Sequence, residues 1–213
     1  MKGVRFGTNH SFNEWGLVLV NKEIGSPKPK VKQIDIEGSD GVIDLTDFFG
    51  GVKYGNRSLS FTFKKANITQ KEYMTLYSEI LQEIHGKQRQ VILDDDPGHF
   101  YWGRVTVNQW KSNKNIGEIV IEVDAEPWKQ EVTDTQFTQN VNGTATITLV
   151  NGQMPVVPTV TTSASFTITF NGNTATYPAD STQIPELELS AGTNRMTVKG
   201  TGTITFAYRK GWL

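Results

Sequence analysis

The sequence predicts a mainly β protein built from two successive β-rich domains, the first carrying a single helix. Three observations predict it. Short apolar segments alternate with period two, as in Val31-Lys32-Gln33-Ile34-Asp35-Ile36 and Leu59-Ser60-Phe61-Thr62-Phe63. Only one segment keeps a helical period instead. Charge is also unevenly placed: of 43 Asp, Glu, Lys and Arg residues all but nine precede Gln130, and threonine dominates afterwards. The composition change near Pro127-Trp128 sets a domain boundary at roughly 128–133, giving domains 1–130 and 131–213.

In the first domain, Gly16-Leu17-Val18-Leu19-Val20 reads as a strand. The next stretch, Asn21 to Lys30, holds two prolines and three lysines, which resist both helix and central strand, so it reads as an exposed arm or connection. Strands follow at 31–36 and 59–63. A helix is expected over 69–85, because Tyr73, Leu76, Tyr77, Ile80, Leu81 and Ile84 recur every three to four residues. Thr69 and Glu72 have capping-box spacing, Ile68 and Tyr73 can form a hydrophobic staple, and Gly86 supplies the stop. Val105-Thr106-Val107 and Ile119–Val123 complete the sheet.

The second domain reads as a run of short threonine-rich strands, at 145–150, 165–170, 174–177, 186–189, 196–199 and 203–208. Asn171-Gly172-Asn173 is hairpin chemistry, and Gly200 and Gly202 punctuate the last pair. Strands this short and evenly spaced suggest a β-sandwich.

Composition removes several classes of function. The 213 residues carry 21 basic and 22 acidic side chains, so no net field holds the chain on nucleic acid or an anionic membrane. Cysteine is absent, which excludes disulfides, thiolate metal sites and cysteine nucleophiles. Neither a signal-peptide pattern nor a run of about 20 apolar residues is present, so the chain reads as a soluble protein made in the cytoplasm.

Chemistry-bearing motifs are sparse. Asp94-Asp95-Asp96-Pro97-Gly98-His99 offers ligand types for a divalent cation but lacks calcium-loop spacing; Asp-Pro-Gly between two apolar runs is turn chemistry, and that is the stronger reading. His10, His85 and His99 lie far apart without a catalytic motif, and the glycine pairs do not match a phosphate loop. The five tryptophans are expected mainly in packing. No catalytic, cofactor-binding or metal residues are therefore assigned.

The order of several segments resembles the distal tail proteins of siphophages that infect Gram-positive bacteria. It runs from Gly16-Leu17-Val18-Leu19 and Pro27 through Ile34-Asp35-Ile36-Glu37-Gly38-Ser39-Asp40-Gly41-Val42-Ile43-Asp44-Leu45-Thr46 to Tyr54-Gly55-Asn56-Arg57, the amphipathic helix, and Asp94–Arg104. The resemblance covers most of the first 130 residues. It implies an N-terminal β-sandwich with one helix and an extended arm, followed by a galectin-like β-sandwich, in a short form without an inserted carbohydrate-binding module. It further implies a non-enzymatic homo-hexameric ring at the virion tail tip that joins the tail tube protein to the tail-associated lysin or fibre hub and to receptor-binding proteins. DNA would pass through the ring without sequence-specific contacts, which near-neutral charge suits.

An arm around 21–32 is expected to reach a neighbouring subunit, and the family pattern directs ring formation to Gly41, Asp44, Tyr54 and Arg57. The same four residues are also explained locally, Gly41 by a turn and Tyr54 with Arg57 by the end of a strand. Rival readings are a carbohydrate-binding module for cell-wall sugar, a wall glycosidase with apposed carboxylates, and another tail or baseplate subunit.

Overall fold

The computed structural model describes residues 2–48, 50–113 and 116–213. The chain divides into two compact units, Met1–Lys129 and Gln130–Leu213. The first contains β1 (Val4–Phe6), β2 (Asn9–His10), β3 (Val18–Ile24), β4 (Gln33–Asp35), β5 (Val42–Asp44), β6 (Arg57–Ala66), α1 (Gln70–Ile84), β7 (Gln88–Leu93), β8 (Asp96–Asn113) and β9 (Ile116–Ala125). Seven of these strands form one antiparallel sheet in the order β2-β1-β7-β8-β9-β6-β3.

That sheet cannot be flat. β1 and β6 stand four places apart, which would separate them by about 19 Å at the usual strand spacing. Yet the Phe6 ring lies 5.9 Å from Phe61 and 6.4 Å from Phe63. The sheet therefore curls over its own apolar face, and the register slips in β7 and β8, between Val91 and Leu93 and between Val107 and Trp110, are the irregularities that let it bend. Alternate residues of β6 and β9 (Leu59, Phe61, Phe63; Ile119, Ile121, Val123) fill the interior with Val4, Phe6 and Trp15.

Helix α1 adds Ile80 and Ile84 to that core. Its start is the expected capping box: the Thr69 hydroxyl accepts from the Glu72 amide while the Glu72 carboxylate accepts from the Thr69 amide at 2.9 Å. Gly86 follows with φ +73°, the left-handed conformation of a glycine stop. Tyr73 packs edge-on against Trp110 at 4.8 Å and lies directly over Gly117, where any Cβ would overlap its ring.

Three local expectations change here. Asn21–Ile24 is not part of an arm: it continues β3, paired with β6, because an edge strand turns one side to water and tolerates lysine. The turn before β8 is Asp94-Asp95, two residues earlier than the Asp-Pro-Gly reading. Pro97 and Gly98 fall inside a bulge of β8, between the pairs Leu93–Asp96 and Val91–Tyr101, where a missing N–H leaves no ladder bond broken. The strand expected at 31–36 is confined to Gln33–Asp35.

The second unit contains β11 (Thr135–Asn151), β12 (Thr159–Thr162), β13 (Phe166–Phe170), β14 (Asn173–Tyr177), β15 (Ser181–Gln183), a 3-10 turn at Pro185–Leu187, β16 (Gly192–Tyr208) and β17 (Gly211–Trp212), after a short β10 (Lys129–Glu131). β11 and β16 pair over seventeen residues as one long ribbon. β13 joins β16 at Lys199 and its neighbours, β12 joins it at 204–207, and the bend between the two halves falls at Gly200 and Gly202. A Cβ at Gly200 would come 2.5 Å from the Phe166 ring, and Gly202 has φ +146°. The expected strands 196–199 and 203–208 are thus one bent strand whose halves serve two sheet layers over a shared core of Ile147, Leu149, Phe166, Ile168, Ile204 and Phe206.

Asn171 (φ 50°) and Gly172 (φ 82°) make the expected hairpin turn between β13 and β14. The strand expected at 186–189 is instead the 3-10 turn, since Pro185 opens it with a preset φ and no donor to lose.

Candidate functional site

Two groups of residues carry possible function in the first unit: the acidic turn and an exposed ribbon. At the turn every carboxylate has a cationic or backbone partner. Asp94 accepts from the Gly3 amide at 2.6 Å and from His10 Nε2 at 3.0 Å. Asp95 is bracketed by Lys2, at 2.7 Å, and Lys22. Asp96 meets His99 Nδ1 at 2.5 Å and Lys129 Nζ at 2.8 Å. These pairs hold Asp95 below the ordinary carboxylate range through its bonds to Lys2 and Lys22. For Asp96 burial pulls upward, but Lys129 and His99 together outweigh it, so its pKa is also lowered.

His10 shows why its contact with Asp94 is not a catalytic dyad. Its Nδ1 accepts from the Phe12 and Asn13 amides, both at 3.2 Å, so Nε2 carries the proton and donates it to Asp94. Both nitrogens are thus committed structurally, Nδ1 to the turn that follows β2 and Nε2 to tying β2 onto the β7–β8 turn. Among the described residues no three His, Asp or Glu side chains converge as a metal-holding group.

The ribbon leaves the sheet after β3 and returns at β6. Its root is closed by the Gly25 amide on the Ser58 carbonyl at 2.8 Å, and its legs are tied by Gly55 to Lys28 at 2.8 Å and Lys30 to Lys53 at 2.7 Å. Farther out β4 and β5 pair as Gln33–Asp44, Ile34–Ile43 and Asp35–Val42. With a rise of about 3.3 Å per residue, its legs can reach roughly 40 Å.

Every residue from Lys28 to Asp44 is exposed. The pairing sets Ile34 opposite Ile43 on one face, which Ile36 continues by alternation, each close to half exposed (46, 47 and 45%), while Gln33, Asp35, Val42 and Asp44 lie on the other. Phe48, four residues beyond β5, is 73% exposed. A two-stranded ribbon is at best marginally stable alone in water, and an exposed apolar row of this kind is a surface that another chain can cover.

The four residues singled out in the sequence do not form one cluster. Gly41, with φ +79°, immediately precedes β5 at the ribbon tip. Asp44 lies on the face opposite Ile34 and Ile43, and the Thr46 hydroxyl and amide (2.8 Å) hold its carboxyl below the ordinary range. Tyr54 pairs with Pro29 in the ribbon stem and packs edge-on to Trp128 at 5.8 Å. Arg57 is buried, its guanidinium 5.5 Å from the centre of the Tyr101 ring. The apolar face and the Trp128 anchor were missed, although the alternation of 31–36 followed by Gly38-Ser39-Asp40-Gly41 and 42–45 is a hairpin signal.

In the second unit an open cavity of about 410 Å³ lies under the overhanging β14, floored by Ile168, Phe170 and Leu187 and rimmed by Asn173, Tyr177 and Glu186. Burial, with Glu186 adding to it, raises the Tyr177 phenol.

No family model and no curated protein matches the sequence. The structure superposes on the crystal structure of SPP1 Dit, described as a paradigm of the hub adsorption apparatus in phages infecting Gram-positive bacteria, with a TM-score of 0.74. The match covers all of both chains at 10% sequence identity. At that identity the likeness is one of fold: the chain has a Dit-like, mainly β architecture.

Proposed function

We propose that this Dit-like chain is a non-enzymatic structural protein of a phage or prophage tail, located at the tail tip, where six copies close into a hub ring. The ring would join the tail tube protein on one face to the tail-associated lysin or fibre hub protein on the other, with receptor-binding proteins farther out. The observation that carries this reading is the exposed ribbon, 28–44, with an isoleucine face and no core of its own, on a fold shared end to end with a hub adsorption protein. A head-to-tail contact between such a ribbon and the next copy repeats by rotation and closes without free ends. The two units take the roles of ring-forming domain (1–130) and peripheral sandwich (131–213). Assembly would follow synthesis in the bacterial cytoplasm.

Antibody against the chain tests the location. Gold label confined to the distal end of tails in micrographs is the expected result, and label along the tube or on the capsid would overturn it.

A second reading has its own observation, the amphiphilic cavity with an apolar floor and the Asn173, Tyr177 and Glu186 rim. It makes the second unit a direct contact for cell-wall sugar. Retention of the full chain on purified cell wall, lost in Tyr177→Ala, supports that reading; no retention removes it.

A further inference from the structure

β11 has an open edge. Among the described residues it pairs only with β16, so its other side carries no strand partner, although the Val150 carbonyl accepts from the Tyr208 hydroxyl at 2.9 Å. Soluble proteins protect such edges with charge, proline or bulges. The outer strand of the first unit, β3, does so with Lys22, Glu23 and a bulge after Leu19. β11 contains no Asp, Glu, Lys, Arg or Pro in its seventeen residues. A long unprotected edge of this kind is a pairing surface.

The sequence of the edge indicates what pairs with it. Over 144–150, Ile147 and Leu149 enter the core while Thr144, Thr146, Thr148 and Val150 are exposed, Val150 to 55%. We propose that this segment pairs antiparallel with the same segment of a second copy, about a twofold axis through Ile147. Thr146 of one copy then stands opposite Thr148 of the other, and Thr144 opposite Val150. The unit already uses such rungs: the hydroxyls of Thr167 and Thr176 and of Thr169 and Thr174 meet at 2.8 Å, and those of Thr138 and Thr205 at 2.9 Å. The registers align Thr174, Thr169, Thr197 and Thr146 in one row, which the second copy continues with Thr148. Arg195 and Lys199, paired with Thr148 and Thr144, stand one strand behind the edge on β16, so no like charges face each other across the join.

This twofold pairing does not depend on ring closure; it doubles whatever assembly the rest of the chain makes. The test is the mass of the full-length chain by light scattering, wild type against Thr146→Lys/Thr148→Lys, which places lysines opposite one another. The mass should halve, from twelve chains to six if the ring closes and from two to one if it does not. The thermal midpoint should hold, and Thr146→Ser/Thr148→Ser should keep the wild-type mass. In the wild type, the outward amides of 144–150 should resist deuterium exchange in concentrated protein and exchange freely on dilution. An equal mass in both proteins, or amides unprotected at every concentration, overturns the proposal.

Discussion

Replacing Ile34, Ile36 and Ile43 together by threonine keeps the β-branched shape that suits strands but removes the apolar face of the ribbon. Each isoleucine is already half covered by its own chain, leaving 46, 45 and 47% of its surface for a partner. Full burial of such a side chain is worth about 1.5–3 kcal/mol, so the remaining half contributes ~0.7–1.5 kcal/mol each and the three together about 2–4 kcal/mol per contact. At 1.4 kcal/mol per tenfold, each subunit contact weakens by roughly 30- to 700-fold. Light scattering across a dilution series should show the variant's ring dissociating at correspondingly higher concentration, with an unchanged melting midpoint for the separated chain. An identical dilution curve would mean that the isoleucine face makes no subunit contact. A large fall in melting midpoint would also refute the reasoning, because the face would then be packed within its own chain.

Other outcomes follow from local geometry. Thr69→Ala removes the capping box of α1 and should cost about 1 kcal/mol in urea unfolding; no change would mean that the helix start is fixed by packing alone. Gly117→Ala forces a methyl into the Tyr73 ring and should cost about 1–3 kcal/mol by urea unfolding, and the same substitution should cost less in a Tyr73→Ala background, where that space is empty. Asp96 has a lowered folded-state pKa, so its stabilisation is present in full above the ordinary aspartate value, about 4, and disappears as pH falls through the lower folded value. Asp96→Asn should therefore be clearly destabilising at pH 7 and progressively less so as the pH is lowered below the ordinary aspartate value, compared by denaturant midpoint; a penalty independent of pH would contradict the Lys129 and His99 pairing.

What could be read from the sequence was set by how local the signal is. The helix was legible to within a residue because its cap, period and glycine stop lie within eighteen residues of one another. The β13–β14 hairpin was legible because Asn171-Gly172 dictates its turn. The curl of the first sheet was not, because it depends on Phe6 meeting Phe61 and Phe63 across more than fifty residues. β16 was read as two strands because glycine marks a bend as readily as an end, and only the partner β11, continuous opposite it, distinguishes the two. In the candidate site, Gly41 and Asp44 fall on the ribbon, but Arg57 lies buried beside Tyr101, a distinction that no spacing rule contains. The isoleucine face becomes visible only once the register pairs Ile34 with Ile43.

The proposed sixfold closure would show itself in the absolute mass of the purified full-length chain. With a chain mass of 23.7 kDa, the account predicts about 142 kDa or a whole multiple of it. A particle of one or two chains at every concentration would contradict it.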